Sequence, residues 1–253
     1  MSWEFLVLLV SGAVAGFMDS IAGGGGLITL PVLSLVLEPG AHAIGTNKIV
    51  GTTGALMALL VYSRHSRINW REGLYFVFCV GVGSSLGAQV TPLLPASFFR
   101  WFLVAVAPLI LYVVWGKDRW LKFESQTKAL APLGWWRPQW ILAGLGCGFY
   151  DGAFGPGGGT FMLLALLMVV RLPLMEALIL SKLANTVSAS VSWATYGWKG
   201  YVHWPEGFSM ALGMGVGAWA GSQLASRKAS QIVRPTMLFA VSLLMLKLIW
   251  DSY

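Results

Sequence analysis

Four charged side chains lie inside strongly apolar stretches of the chain. They are two acids, Asp19 and Asp151, and two bases, Lys48 and Lys182. A charge at membrane depth is costly, so such residues are usually paired and mark ion or proton pathways. We predict that the lysines attract an anion and that the aspartates balance them and carry a coupled proton. A pair of purely structural salt bridges is the alternative.

The same four residues belong to an internal repeat. Asp19 and Asp151 are 132 residues apart, and Lys48 and Lys182 are 134 apart. At the first offset, Gly12, Gly16, Phe17, Asp19, Gly23, Gly25 and Gly26 match Gly144, Gly148, Phe149, Asp151, Gly155, Gly157 and Gly158. Each copy therefore supplies one acid and one base. We expect like residues of the two copies to approach each other across a pseudo-twofold axis.

Glycine runs follow each aspartate, at residues 23–26 and, with one proline, at residues 155–159. Consecutive glycines disfavour a helix, so we predict breaks here and new helices from Leu27 and Thr160. A helix start presents free N–H groups and partial positive charge, which suits an anion. The predicted substrate-binding glycines are Gly24, Gly25, Gly26, Gly157, Gly158 and Gly159. A tight packing corner is the alternative for these glycines.

Neutral polar residues accompany the lysines. Thr46 and Asn47 precede Lys48, whereas Ser181 precedes Lys182 and Asn185 follows it by three residues. Residues three apart share a helical face. These four polar side chains are candidate ligands for substrate oxygens, although buried Asn and Ser equally often bond between helices.

The composition is that of an all-α polytopic membrane protein. Hydrophobic residues make up 57% of the 253 residues and charged residues only 11%, against about 25% in soluble proteins. Apolar runs of membrane length cover Ile44–Tyr62, Leu74–Val90, Phe98–Trp115, Leu174–Trp198, Phe208–Ala225 and Ile232–Trp250. The net charge of +7 is explained by cationic loops beside lipid, without nucleic acid as a partner.

We predict three segments: a first repeat (1–116), a basic cytoplasmic linker (117–137) and a second repeat (138–253). Each repeat would hold a glycine-broken helical hairpin and three transmembrane helices. Inverted repeats place twelve Lys and Arg residues on one side and three on the other, whereas parallel repeats give ten and five. The positive-inside rule therefore favours inverted repeats. The rule leaves open whether the chain at each glycine-rich break is re-entrant or spans the membrane.

Catalysis, metal binding and cofactor binding have no support in the sequence. His42, His65 and His203 show no ligand spacing to one another. No Ser/His/Asp or Cys/His set recurs in the two copies. A nucleotide-binding glycine loop would need a βαβ unit, which the apolar runs do not provide. The oligomeric state is left open.

These motifs resemble the TauE/SafE family of membrane permeases (sulfite exporter-like, also called the toluene sulfonate uptake permease family). The matching segments are GFMDSIAGGGGL at residues 16–27, GTNK at 45–48, GFYDGAFGPGGG at 148–159 and SKLAN at 181–185. The resemblance covers essentially the whole chain. It implies a multi-pass transporter of the bacterial inner membrane and links the chain to sulfite and organosulfonates such as sulfoacetate.

The function expected from these observations is secondary transport of a small anion by alternating access. Two acids and two bases sum to zero, so an entering anion leaves one uncompensated negative charge, which a proton on an aspartate would remove. One alternative is a cation or metal permease that uses the aspartates as ligands. Another is a membrane scaffold or assembly factor that binds a partner through the basic linker.

Overall fold

A computed structural model describes residues 3–37, 40–64, 70–95, 138–170 and 172–250, and these residues contain no β-strand. The helices are α1 (Trp3–Ala22), α2 (Gly26–Val36), α3 (Ala41–Tyr62), α4 (Trp70–Val90), α5 (Pro138–Ala153), α6 (Gly158–Met168), α7 (Leu174–Trp198) and α8 (Trp204–Trp250). A 3₁₀ turn, Thr91–Leu93, follows α4. Helix α8 is kinked at Lys228, where φ is −137° and ψ is 33°.

The apolar composition of these helices is that of a multi-pass membrane protein. In the part of the chain described, three helical segments are long and apolar enough to cross a membrane: Trp3–Ala22, Ala41–Tyr62 and Gly73–Leu93. The apolar helices α2 and α6 have 11 residues each. Such a helix is about 16 Å long, roughly half the hydrocarbon thickness. Helices α2 and α6 therefore reach only part of the way across.

The predicted helices are confirmed wherever the structure describes them. The runs at 44–62, 74–90 and 174–198 lie in α3, α4 and α7, and those at 208–225 and 232–250 both lie in α8, on either side of its kink. The predicted run Phe98–Trp115 and the linker 117–137 lie outside the described residues.

Glycines bring two pairs of helices into close contact. Helix α1 packs on α8, and α4 packs on α5. A Cβ atom at Gly217 of α8 would overlap the carbonyl oxygen of Ala13, and one at Gly87 of α4 would overlap that of Phe149. Small residues let helix backbones approach closely in membranes, and these glycines explain both contacts. Between these two pairs, α3 packs on α7, and Lys48 of α3 and Lys182 of α7 are buried there in ion pairs.

We expect Gly148→Ala to destabilise the protein, because its Cβ would overlap the carbonyl oxygen of Val80. Overpacking of this kind costs about 1–3 kcal/mol, so the thermal midpoint in detergent should fall by roughly 5 °C. Gly146→Ala is the matched control, since no atom lies within 4 Å of its Cβ position in the same helix. Equal midpoints for both variants would contradict the close packing of α4 on α5.

Candidate functional site

Two breaks in the helices form the base of the site. Helix α1 ends at Ala22 and α2 begins at Gly26, while α5 ends at Ala153 and α6 begins at Gly158. Gly23 and Gly24 have φ values of 79° and 92°, and Gly155 and Gly157 have 86° and 75°. Only glycine adopts these angles readily, which explains why both breaks are glycine-rich.

The predicted helix starts are late by one residue at Leu27 and by two at Thr160. The helices begin at Gly26 and Gly158 instead. First-turn residues lack an intrahelical acceptor for their N–H groups, so glycine is tolerated there although it is unfavourable in a helix interior.

The two breaks touch each other. The hydroxyl of Thr160, in the first turn of α6, donates a hydrogen bond to the carbonyl of Ala22 at 3.3 Å. A Cβ atom at Gly23 would lie 2.5 Å from the backbone nitrogen of Thr160, and one at Gly26 would lie 3.2 Å from Cα of Pro156. The start of each half-length helix therefore lies against the opposite break.

The four buried charges form two ion pairs that cross between the breaks. Lys48 Nζ lies 3.0 Å from Asp151 Oδ2, and Lys182 Nζ lies 2.9 Å from Asp19 Oδ2. Each lysine also donates a hydrogen bond to the backbone carbonyl of the same aspartate. All four residues are at most 5% exposed. Each lysine is thus paired with the aspartate from the other half of the sequence. The spacing of residues within each half could not predict this arrangement.

The two aspartates differ in their other partners. Asp19 Oδ1 accepts a hydrogen bond from the N–H of Gly25 at 3.0 Å. We had expected the start of α2 to be free for a ligand. It is not entirely free, because the carboxylate of Asp19 neutralises part of the positive charge at this helix end. Asp151 Oδ2 accepts a second hydrogen bond, from the hydroxyl of Ser188 in α7, at 2.6 Å.

Two buried tyrosines hold the ends of the broken helices. The hydroxyl of Tyr62 donates to the carbonyl of Ser20 at 2.6 Å, and that of Tyr196 donates to the carbonyl of Gly152 at 2.9 Å. These carbonyls lie in the last turns of α1 and α5, where helix carbonyls lack an intrahelical partner. The tyrosines therefore satisfy the groups that the breaks leave open.

A polar cavity of about 30 Å³ lies where the breaks meet. Such a volume holds about two water molecules. The predicted site residues that line it are Asp19, Gly24, Gly26, Asn47, Lys48, Asp151, Gly157, Gly158, Gly159 and Asn185. Lining residues that the sequence did not single out include Thr29 and Met214.

Four predicted site residues do not line the cavity. Lys182 is bound to Asp19, and the N–H of Gly25 donates to the same carboxylate. The hydroxyl of Thr46 accepts the N–H of His203, and the hydroxyl of Ser181 donates to the carbonyl of Leu178 in its own helix. Thr46 and Ser181 thus support the helices and do not contact the cavity.

The spacing of the histidines in the sequence did not predict a contact between two of them. His203 Nε2 and His42 Nδ1 lie 3.2 Å apart, although 161 residues separate them in the chain. Among the described residues no group of three or more His, Cys, Asp or Glu side chains could hold a metal ion. His65 lies outside those residues.

The structure combines apolar helices of membrane length, two helix breaks in contact and four buried charges beside one cavity. These are features of membrane transport proteins. The family model described as Sulfite exporter TauE/SafE matches residues 8–248. The chain belongs to this family.

Curated relatives agree with this assignment. A "Probable membrane transporter protein" of Haemophilus influenzae is 32% identical over 97% of this chain and 94% of the relative. The "Probable membrane transporter protein ORF9" of a Sinorhizobium species is 31% identical over 96% and 92%. The "Probable membrane transporter protein YfcA" of Escherichia coli K12 is 32% identical over 98% and 90%. No solved structure shows a significant match.

Proposed function

We propose that this protein is a secondary transporter of small anions of the sulfite or organosulfonate class, working by alternating access with proton coupling. One observation carries the proposal: two buried Lys–Asp pairs cross between two helix breaks beside a single polar cavity. The family name supports a sulfur oxyanion as substrate. We place the protein in the bacterial inner membrane with the segment 117–137 on the cytoplasmic side.

The charge balance favours an anion over a cation. Each carboxylate is neutralised by a lysine, so neither aspartate is free to bind a cation. Lys48 and the positive starts of α2 and α6 face the cavity. A monovalent anion that enters this neutral site adds one negative charge, and one proton on an aspartate restores neutrality. Lys182 takes part by keeping Asp19 in place beside the cavity.

The helix contacts support two equivalent repeats, 1–116 and 138–253, as the moving units, and the distribution of Lys and Arg favours their inversion. Helix α1 packs on α8, α4 packs on α5, and α3 packs on α7. By the residue offset between the two copies, α1 corresponds to α5 and α3 to α7. The pattern of helix contacts is therefore unchanged when the two repeats are exchanged. Both ion pairs join one repeat to the other. Alternating access would rearrange the repeats around these pairs, as in other inverted-repeat transporters.

The test is flux into proteoliposomes. We expect the wild-type protein to carry sulfite or sulfoacetate and the rate to respond to a pH gradient. Lys48→Ala and Lys182→Ala should each reduce the flux at least about tenfold, since a buried charge pair broken on one side costs about 3–5 kcal/mol. Lys199→Ala, which removes an exposed lysine at the end of α7, is the control.

Three results would count against the proposal. Unchanged flux in both lysine variants, with wild-type monodispersity in detergent, would refute the assignment of the site. Flux that does not depend on the pH gradient would exclude proton coupling and leave anion transport standing. Cation flux without anion flux would replace the proposal by a cation permease that uses Asp19 and Asp151.

A further inference from the structure

The two ion pairs do not present the same groups to the cavity. Lys48 and Asp151 both line it, whereas of the other pair only Asp19 does. Lys182 is 2% exposed and lies behind Asp19, to which it is bound through Oδ2 and the backbone carbonyl. A ligand in the cavity would therefore meet one lysine directly, and that lysine is Lys48.

The carboxylate oxygens of the two aspartates are used differently. Both oxygens of Asp19 accept hydrogen bonds, Oδ1 from Gly25 N–H and Oδ2 from Lys182. In Asp151, Oδ2 accepts from both Lys48 and Ser188, and Oδ1 accepts from no residue of the described chain. A Cβ atom at Gly158 would overlap this Oδ1, which places the oxygen against the first residue of α6.

An unpartnered amide faces the same helix start. Asn185 is 7% exposed, lines the cavity and makes no side-chain hydrogen bond to the described residues. Its Nδ2 lies 3.1 Å from the position that a Cβ atom of Gly159 would occupy. The amide is open to the cavity, where an oxygen of a ligand would accept a hydrogen bond from Nδ2. Asn47 lies at the other break: its Oδ1 accepts a hydrogen bond from Thr29, and its Nδ2 lies 3.5 Å from the Cβ position of Gly26, at the start of α2.

We propose that the anion binds at the start of α6, between Asn185 Nδ2 and Lys48 Nζ, and that Asp151 carries the coupled proton on Oδ1 while Asp19 stays ionised. This inference rests on the proposed function and assigns unequal roles to two aspartates that the repeat makes look equivalent. A proton on Oδ1 leaves Oδ2 free to keep its bonds to Lys48 and Ser188. The protonated Oδ1 can then donate to an anion oxygen.

The groups that face Asp151 are compatible with this exchange. Lys48 from α3 is the charged group in contact, and Asp19 lies across the cavity with its charge held by Lys182. The other titratable side chains near it are Tyr196 of α7 and Cys147 and Tyr150 of α5. One anion and one proton enter together, and the site stays neutral.

The experiment measures protons taken up per anion bound by the full-length protein in detergent. The probe is methanesulfonate, which remains a monoanion over the working pH range, so the protons go to the protein. Titration calorimetry in buffers of different ionisation enthalpy gives the stoichiometry. We expect about one proton per anion for wild type and for the double variant Asp19→Asn/Lys182→Met, which removes one whole ion pair and keeps the empty site neutral. We expect none for Asp151→Asn, whose affinity should no longer vary with pH.

Two further measurements keep the inference testable if a variant does not fold. In wild-type protein, the infrared band of a protonated carboxylic acid should grow when methanesulfonate binds. Asn185→Ala should weaken binding about tenfold or more, because it removes a hydrogen bond to a charged ligand. Gln89→Ala, which changes an exposed amide bonded within its own helix, should not change the affinity.

The outcomes separate this inference from the proposed function. Proton uptake that disappears in Asp19→Asn/Lys182→Met but persists in Asp151→Asn would overturn the inference and leave anion transport intact. An absent infrared band in wild type, or full affinity in Asn185→Ala, would also overturn it. A wild-type protein that binds neither sulfite nor any sulfonate would overturn the proposed function, and the inference with it.

Discussion

Replacing Lys182 with methionine is expected to be among the most destabilising single substitutions in this protein. Methionine has a similar length but cannot donate to Asp19, whose side chain is 7% exposed. Removing one partner of a buried ion pair costs about 3–5 kcal/mol, because the remaining charge is left uncompensated. The midpoint of thermal unfolding, followed by intrinsic tryptophan fluorescence in detergent, should fall by roughly 10 °C.

A double variant tests the reason for that loss. Adding Asp19→Asn to Lys182→Met removes the stranded charge, while the amide oxygen can still accept the N–H of Gly25. Stability should then recover by about half or more, whereas anion transport should stay low. Lys199→Met, at an exposed position, is the matched control for loss of a lysine. No recovery in the double variant would show that the cost arises from packing instead of charge.

The second large effect is expected from Gly158→Ala, which adds a single methyl group. Gly158 is the first residue of α6 and has no positive φ, so alanine suits its backbone. The added Cβ, however, would overlap Asp151 Oδ1. The carboxylate must turn away and lose its 3.0 Å contact with Lys48. We expect the transport rate to fall about 100-fold, which corresponds to about 2.7 kcal/mol.

Gly26→Ala is the control for this substitution, since Gly26 is the matching residue of the first repeat. Its Cβ would lie 3.2 Å from Cα of Pro156, a tight contact that a small shift relieves. The rate should therefore fall much less than in Gly158→Ala. Equal rates in the two variants, both with wild-type melting behaviour, would mean that the position of Asp151 does not limit transport.

Local sequence was sufficient for the helices and the breaks. Helix length and apolar composition predicted α3, α4 and α7, because a membrane fixes both quantities. Runs of glycine after Asp19 and Asp151 predicted the breaks, since glycine alone tolerates the positive φ values found there. The burial of the four charges also followed, from the apolar residues around each of them.

Local sequence could not predict which residues pair with each other across the fold. The crosswise pairing of Lys48 with Asp151 joins residues 103 apart, and nothing in their neighbourhoods excludes pairing within a repeat. The contact between His42 and His203 was missed for the same reason. The bond from the Gly25 N–H to Asp19 left no such local signal, because Asp19 lies inside α1 and the N-cap residue of α2 is Gly25 itself.

The contact between α1 and α8 has a consequence for how the protein is made. Gly217 rests against the carbonyl of Ala13, and 204 residues separate the two. At a synthesis rate of about 5–20 residues per second, the partner of the first helix emerges roughly 10–40 s after it. During that interval the glycine face of α1 has only lipid or the insertion machinery beside it. The contact between α1 and α8 can therefore form only when translation is almost complete.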